Sequence, residues 1–145
     1  NPLPWSDAQE WPGALCYCGK YGCIETFISG TGLARDHLAV TGQDLSAEDI
    51  AANALAEASF QRYERRMAKA LASIVNVIDP DVIVLGGGVS NVDRIYRNVP
   101  PQIGEFTFSD EIKPNLRRNV HGDSSGVRGA AWLWHDDEWS TALSN

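Results

Sequence analysis

The chain has 145 residues, 43% of them hydrophobic, enough for one domain with a buried core. Its formal net charge is −7 and no basic cluster exceeds Arg65-Arg66 or Arg117-Arg118, so this segment lacks the concentrated cationic face that nucleic-acid phosphates require. No apolar run is long enough to span a bilayer and no signal-peptide pattern is present, so a soluble, cytoplasmic protein with no membrane partner is expected. Residue 1 is Asn and the only methionine is Met67, which reads as a piece of a longer chain or a processed form.

Residues 1–15, NPLPWSDAQEWPGAL, carry three prolines, a glycine and two tryptophans, and read as an irregular ordered loop whose Trp rings supply burial. Ile24 to Ile28 can open a helix, broken by Ser29-Gly30. Thr31 is the expected N-cap of a second helix running to about Val40, before Thr41-Gly42. Ser46-Ala47-Glu48-Asp49 has the form of a capping signal with acids in the first turn. The strongest helical pattern covers about Ala56 to Ile78. Phe60, Tyr63, Met67, Ala70, Leu71, Ile74 and Ile78 recur at three- and four-residue steps, while Arg62, Arg65, Arg66, Lys69 and Ser73 take the other faces.

Asp79-Pro80 stops that helix. Val82-Ile83-Val84-Leu85 follows, a continuous apolar run suited to a strand buried on both faces of a parallel sheet. Gly86-Gly87-Gly88 ends it. Asn91 to about Asn98 forms the next helix, which Pro100-Pro101 closes. A weaker strand is predicted near Leu116 to Val120, then a turn over His121 to Gly126, a short helix from Val127 to Trp134, and a frayed polar tail from His135. Helix alternating with strand makes the class α/β. So few strands leave the apolar helices short of a sheet to cover, which points to a partner half elsewhere.

Two features suggest chemistry. All the cysteines, Cys16, Cys18 and Cys23, fall within CYCGKYGC, and a disulfide across Cys16-x-Cys18 would be strained. Clustered thiolates suit a structural zinc site better than a magnesium or calcium site, with free core thiols as the alternative. None of His37, His121 and His135 is an obvious fourth ligand, and His37 reads as a surface or capping residue. Glu25 follows the last cysteine by two residues. It is either a first-turn acid held by the helix dipole or a carboxylate that binds a polar ligand. The second feature is Gly86-Gly87-Gly88, between a strand and a helix. It is either a nucleotide-facing turn or a tight connection. It is neither a Rossmann fingerprint nor a Walker loop, since Asn91 takes the third glycine's place and no Lys-Ser/Thr follows. His121, Asp123, Ser124 and Ser125 crowd one turn and do not make a catalytic triad; Asp123 or a serine is better read as the cap of the last helix.

Three segments carry a family resemblance. C16-Y-C-G-K-Y-G-C-I-E-T-F-I-S-G30 resembles the cysteine-rich motif of ROK-family sugar kinases and sugar-responsive repressors. D79-P-D-V-I-V-L-G-G-G-V-S-N91 is similar to that family's second nucleotide motif. H121-G-D-S-S-G-V-R-G-A-A-W-L-W134 resembles its C-terminal strand–turn–helix. With Asn1-Pro2-Leu3-Pro4-Trp5, these most resemble the bacterial fructokinases of the family.

The resemblance implies the C-terminal lobe of an actin-like ATPase (ribonuclease H-like) fold with a zinc-binding loop. Residues 1–30 would be the zinc and sugar region and residues 79–134 the nucleotide region. It implies structural zinc on Cys16, Cys18 and Cys23 with a histidine just before Asn1, sugar hydroxyls on Glu25, and the adenosine side of ATP along Gly86, Gly87 and Gly88. The whole protein is then expected to use ATP and Mg²⁺ to phosphorylate a hexose, with fructose the expected sugar, and to form a homodimer. No catalytic base is expected in this chain, since the Asp-Gly-Gly-Thr phosphate motif and the general-base aspartate belong to an N-terminal lobe. These 145 residues alone should be inactive. The alternative is the effector-binding part of a ROK transcriptional repressor, with its DNA-binding segment upstream.

Overall fold

The structure, a computed structural model, describes residues 1–108, 114–122 and 125–132. An irregular N-terminal loop leads into α1 (Glu25–Ile28), α2 (Gly30–Thr41), α3 (Ala47–Ala52) and the long α4 (Glu57–Ile78). Then come β1 (Ile83–Leu85), α5 (Asp93–Ile103), β2 (Leu116–Arg118) and α6 (Ser125–Ala131). The two strands pair in parallel, Ile83 opposite Leu116 and Leu85 opposite Arg118. The crossover between them is α5, as parallel pairing requires.

Local chemistry accounts for the element ends. Ser29, not Thr31, caps α2: its hydroxyl accepts the Gly32 N–H at 3.1 Å. Gly42 ends the helix in the left-handed conformation that favours glycine, donating to Leu38 O at 2.8 Å. Ser46 caps α3 through the Asp49 N–H at 3.1 Å. Asp79 closes α4 with its N–H on Val75 O at 2.9 Å. Pro100 and Pro101 do not end α5, which runs through both to Ile103. Ile95, Val99 and Ile103 lie at four-residue steps and are fully buried. Burying such side chains is worth about 1.5–3 kcal/mol each, which offsets the helical hydrogen bonds the prolines cannot donate.

The core centres on α4. Phe60, Tyr63, Met67, Leu71 and Val75 cluster with Leu33 of α2, Ile50 of α3, Ile95 and Val99 of α5, and Leu116 of β2. The face assignment from sequence needs correcting. Ile74 and Ile78 are exposed, whereas Glu64, Arg66 and Lys69 are buried. The reason is charge pairing from three sides. Glu10 of the N-terminal loop, itself buried, accepts from Lys69 Nζ at 2.6 Å and Arg66 Nε at 3.1 Å. Asp36 of α2 accepts from Arg66 at 2.7 Å and from Arg62 at 2.7 Å. On the opposite side, Arg94 of α5 grips Glu57 at 2.6 and 2.8 Å and Glu64 at 2.8 Å. Long side chains can reach such partners while their stems pack in the core.

Three other expectations change. His37 is buried, with Nδ1 2.9 Å from Ser59 Oγ, because α3 and α4 close over its face of α2. Trp5 and Trp11 are 50% and 73% exposed, so the loop is anchored by Leu3 and Glu10 instead. β1 is not buried on both faces: Val84 is exposed because the sheet among the described residues has two strands and one covered side. The expected capping role of Asp123 or Ser124, the end of the last helix at Trp134 and the tail from His135 lie outside the described residues.

Two stability tests follow from this packing. A Cβ at Gly32 would stand 2.6 Å from the Thr26 carbonyl oxygen of α1. Gly32→Ala should therefore destabilise the protein by about 1–3 kcal/mol, the overpacking term exceeding a helix-propensity gain of about 1 kcal/mol. A denaturation midpoint that rises instead would contradict this packing. The second test uses acid. The Arg94 hydrogen bonds lower Glu57 from 4.5 to about 2. Burial opposes ionisation of Asp36, but hydrogen bonds from Arg66 and Arg62 outweigh it and hold this carboxyl below its ordinary value. Both folded values are depressed, so their stabilisation is present above about pH 4.5 and is lost as pH falls toward about 2. Urea midpoints should drop across that window, and Glu57→Gln should flatten the drop.

Candidate functional site

The three cysteines sit on a small backbone knot. Leu3 N–H donates to Gly22 O and Ile24 N–H to Asn1 O, each at 2.9 Å, with Pro2 bridging Cys23 between them. Leu15 bridges Tyr21, and the Cys16 N–H donates to Lys20 O at 2.8 Å, closing the turn. Gly13 and Gly22, both at positive φ, meet backbone to backbone: a Cβ on Gly13 would lie 2.5 Å from Gly22 Cα. Only glycine at both positions permits this approach.

The knot brings the Cys16, Cys18 and Cys23 Sγ atoms within 4.8 Å of one another, with Cys18 and Cys23 3.6 Å apart. Cys16 and Cys23 are buried and Cys18 is exposed. The Lys20 backbone N–H, with help from the neighbouring thiols, lowers the Cys18 pKa; the Cys18 sulfur in turn raises that of Cys23. Three soft donors on one small surface fit a tetrahedral zinc with one position left for another ligand. Among the described residues the cluster holds these cysteines and no His, Asp or Glu.

Glu25 opens α1 two residues beyond Cys23, exposed and without an ion pair among the described residues. Across from it stand Gly86, Gly87 and Gly88. Both line one groove of about 340 Å³, with Ser29, Tyr63, Met67 and Ser90 as further walls. Tyr63 is tied to the α1 side: its hydroxyl donates to Ile28 O at 2.7 Å, and burial raises its pKa. A larger concavity of about 510 Å³ lies between α4 and α5. Arg94 in its wall is already paired with Glu57 and Glu64. Another, about 380 Å³, lies between the N-terminal loop and α2.

Of the residues that line this groove, the sequence singled out Glu25 and the glycines but not Tyr63 or Ser90. Tyr63 read as packing, and nothing in local sequence marks Ser90. The signal that finds them is tertiary: α4 passes beneath both segments.

The backbone architecture is that of solved ROK proteins, which have an actin-like ATPase fold. It matches the ROK hexokinase of Thermus thermophilus with a TM-score of 0.69 at 29% identity, covering 83% of this chain and 44% of that one. It matches a ROK-family transcriptional regulator, a homolog of the E. coli MLC protein, with a TM-score of 0.57 at 28% identity, covering 74% of this chain and 31% of that one. In sequence it is 36% identical over 129 residues to the N-acetyl-D-glucosamine kinase of Escherichia coli O6:H1, covering 86% of this chain and 43% of that protein. It is 40% identical over 134 residues to the N-acetylgalactosamine kinase of Shewanella sp. (strain ANA-3), covering 88% of this chain and 43% of that protein. The ROK family model matches residues 8–137, and the chain belongs to the ROK family. It spans less than half the length of the kinases it matches.

The knot makes a direct test possible. A Cβ at Gly22 would meet Pro12 O at 2.6 Å. Gly22→Ala should open the knot, so that in metal-free protein a thiol reagent titrates Cys16 and Cys23 markedly faster than in the parent. Unchanged rates at both buried thiols would mean that the Gly13–Gly22 contact does not hold the knot.

Proposed function

We propose that this chain is the C-terminal lobe of an ATP-dependent hexose kinase, with residues 1–30 as the zinc and sugar region and residues 79–134 as the nucleotide region. The observation that carries the reading is the shared groove: Glu25, which forms no ion pair among the described residues, and the three-glycine turn line it together. In this reading Glu25 accepts hydrogen bonds from sugar hydroxyls, and Gly86 to Gly88 let the nucleotide approach backbone without a Cβ in the way. Positioning two substrates is most of what phosphoryl transfer asks of a protein. The general base and the contacts to phosphate and Mg²⁺ belong to the other lobe, as does closure over the groove. The assembled protein is proposed to be a cytoplasmic homodimer.

Cys16, Cys18 and Cys23 would hold zinc, which supplies a rigid cross-link and no chemistry at the sugar. The family resemblance supports a fourth ligand from a histidine just before Asn1, and the carbonyl oxygen of Asn1 accepts the Ile24 N–H at 2.9 Å, next to Cys23.

For the sugar we put fructose, on the resemblance of Asn1 to Trp5 and of His121 to Trp134 to fructokinases. The relatives named for N-acetylhexosamines support a competing sugar class. The likeness to the transcriptional regulator supports a second reading, an effector-binding part of a sugar-responsive repressor.

One set of assays on the intact protein separates these. ADP release should be highest in kcat/KM with fructose, ahead of N-acetylglucosamine, N-acetylgalactosamine and glucose. Turnover only with the acetylated sugars would replace fructose and keep the kinase. Sugar-dependent release of DNA with no ATP turnover would favour the repressor. Glu25→Gln should lower kcat/KM for the sugar about 10- to 100-fold, the loss of a charged hydrogen bond, while metal analysis still finds about one zinc per chain. Undiminished sugar use would leave Glu25 a helix-end acid only.

A further inference from the structure

The glycine turn is held by one buried residue that the reading above does not use. Ser90 is 2% exposed, and every polar group it owns is engaged. Its hydroxyl donates to Gly87 O at 2.6 Å, and its N–H donates to the same oxygen at 3.1 Å. Asn119, just beyond β2, donates to Ser90 Oγ at 3.1 Å and to Leu85 O, at the end of β1, at 3.0 Å. The Ser90 carbonyl accepts from Tyr96 at 2.7 Å and from Arg118 at 3.2 Å. Such a network has few alternative arrangements.

Its consequence lies in the Gly87–Gly88 peptide. Gly87 has φ 79° and ψ 174°, a conformation that is essentially glycine's alone. A Cβ there would meet nothing within 4 Å, so torsion, not space, demands glycine. Two donors from Ser90 pull the Gly87 carbonyl toward the protein. Because the peptide is planar and trans, the Gly88 N–H must point the opposite way. Gly88 is an exposed residue, and its N–H makes no hydrogen bond among the described residues.

We infer that Ser90 is a positioning residue for nucleotide binding: it turns the Gly87–Gly88 peptide so that the Gly88 N–H is offered, pre-aimed, to an acceptor atom of the nucleotide. This rests on the reading of Gly86 to Gly88 as the nucleotide-facing turn. Ser90 acts through the turn: it removes the conformational freedom that the turn would otherwise lose on binding.

The test uses the intact protein and separates the inference from the reading beneath it. Ser90→Ala deletes one of the two donors to Gly87 O. KM for ATP, and Kd for ADP by calorimetry, should each rise about 5- to 20-fold, the scale of one buried hydrogen bond. kcat, KM for the sugar and zinc content should stay within about twofold. Ser90→Thr, which keeps the hydroxyl, should restore nucleotide affinity. If Gly87→Ala weakens ADP binding and Ser90→Ala does not, the turn binds nucleotide but Ser90 does not aim it, and the inference fails alone. If neither variant changes ADP binding, the nucleotide reading of the turn fails with it. A uniform fall in kcat and both affinities, not rescued by threonine, would assign Ser90 to folding only and overturn the inference. Should Ser90→Ala not fold, Asn119→Ala removes the donor that holds the hydroxyl and should give a smaller rise confined to nucleotide affinity; no rise would overturn the inference.

Discussion

The Glu10 carboxylate, buried between Arg66 and Lys69, is the interaction on which the cysteine knot and the Glu25 side of the groove depend. Its partners lie more than fifty residues away in sequence. Burying one charge is costly, and breaking such a cluster by removing a single partner typically costs about 3–5 kcal/mol. The cluster is tolerable because each charge is met: Glu10 by two cations, Arg66 by Glu10 and Asp36 together. It clamps an otherwise irregular loop onto α4. That clamp sets Gly13 against Gly22, the contact that closes the cysteine knot, and the knot delivers Glu25 at the start of α1. A cation–π contact adds to this, with Arg66 stacked 5.2 Å over the Phe27 ring of α1.

The other wall of the groove is built differently. Among the described residues, no buried charge cluster holds the glycine turn. Hydrogen bonds from Asn119, Tyr96 and Arg118 converge on Ser90, and Arg118 locks the following residues by donating to Asn91 O at 2.6 Å. Helix α4 is the shared floor, offering Tyr63 and Met67 to the groove between the two walls. A change that tilts α4 would therefore move both walls together. In the proposed kinase the sugar and nucleotide grips would stay in register as the lobe moves.

Much of this was legible in the chain. The 3.6-residue pattern and the Asp79-Pro80 stop put α4 within a residue of its observed ends. The apolar run before three glycines marked β1, and the cysteine spacing marked the knot. What escaped were residues whose role is set by distant partners. Arg66 and Lys69 read as a solvated face because nothing near them in sequence announces Glu10. His37 read as surface because the helices that bury it come later in the chain. Pro100-Pro101 read as a stop because local propensity favours one, and the burial of Val99 and Ile103 overrides it. Trp11 read as buried by composition alone, yet its ring is exposed.

The sequence by itself determined the local chemistry: the course of the long helix α4, which residues can take left-handed torsions, and which three thiols can meet. These depend on spacings of a few residues, where covalent geometry leaves few choices. Only the tertiary structure decided that Glu25 and the glycine turn, some sixty residues apart, share one groove, that Glu10 is a buried anchor, and that Ser90 orients a peptide it does not belong to. Those relations depend on how α4 packs against the loop, α1 and the strand pair, and no short-range pattern encodes that packing.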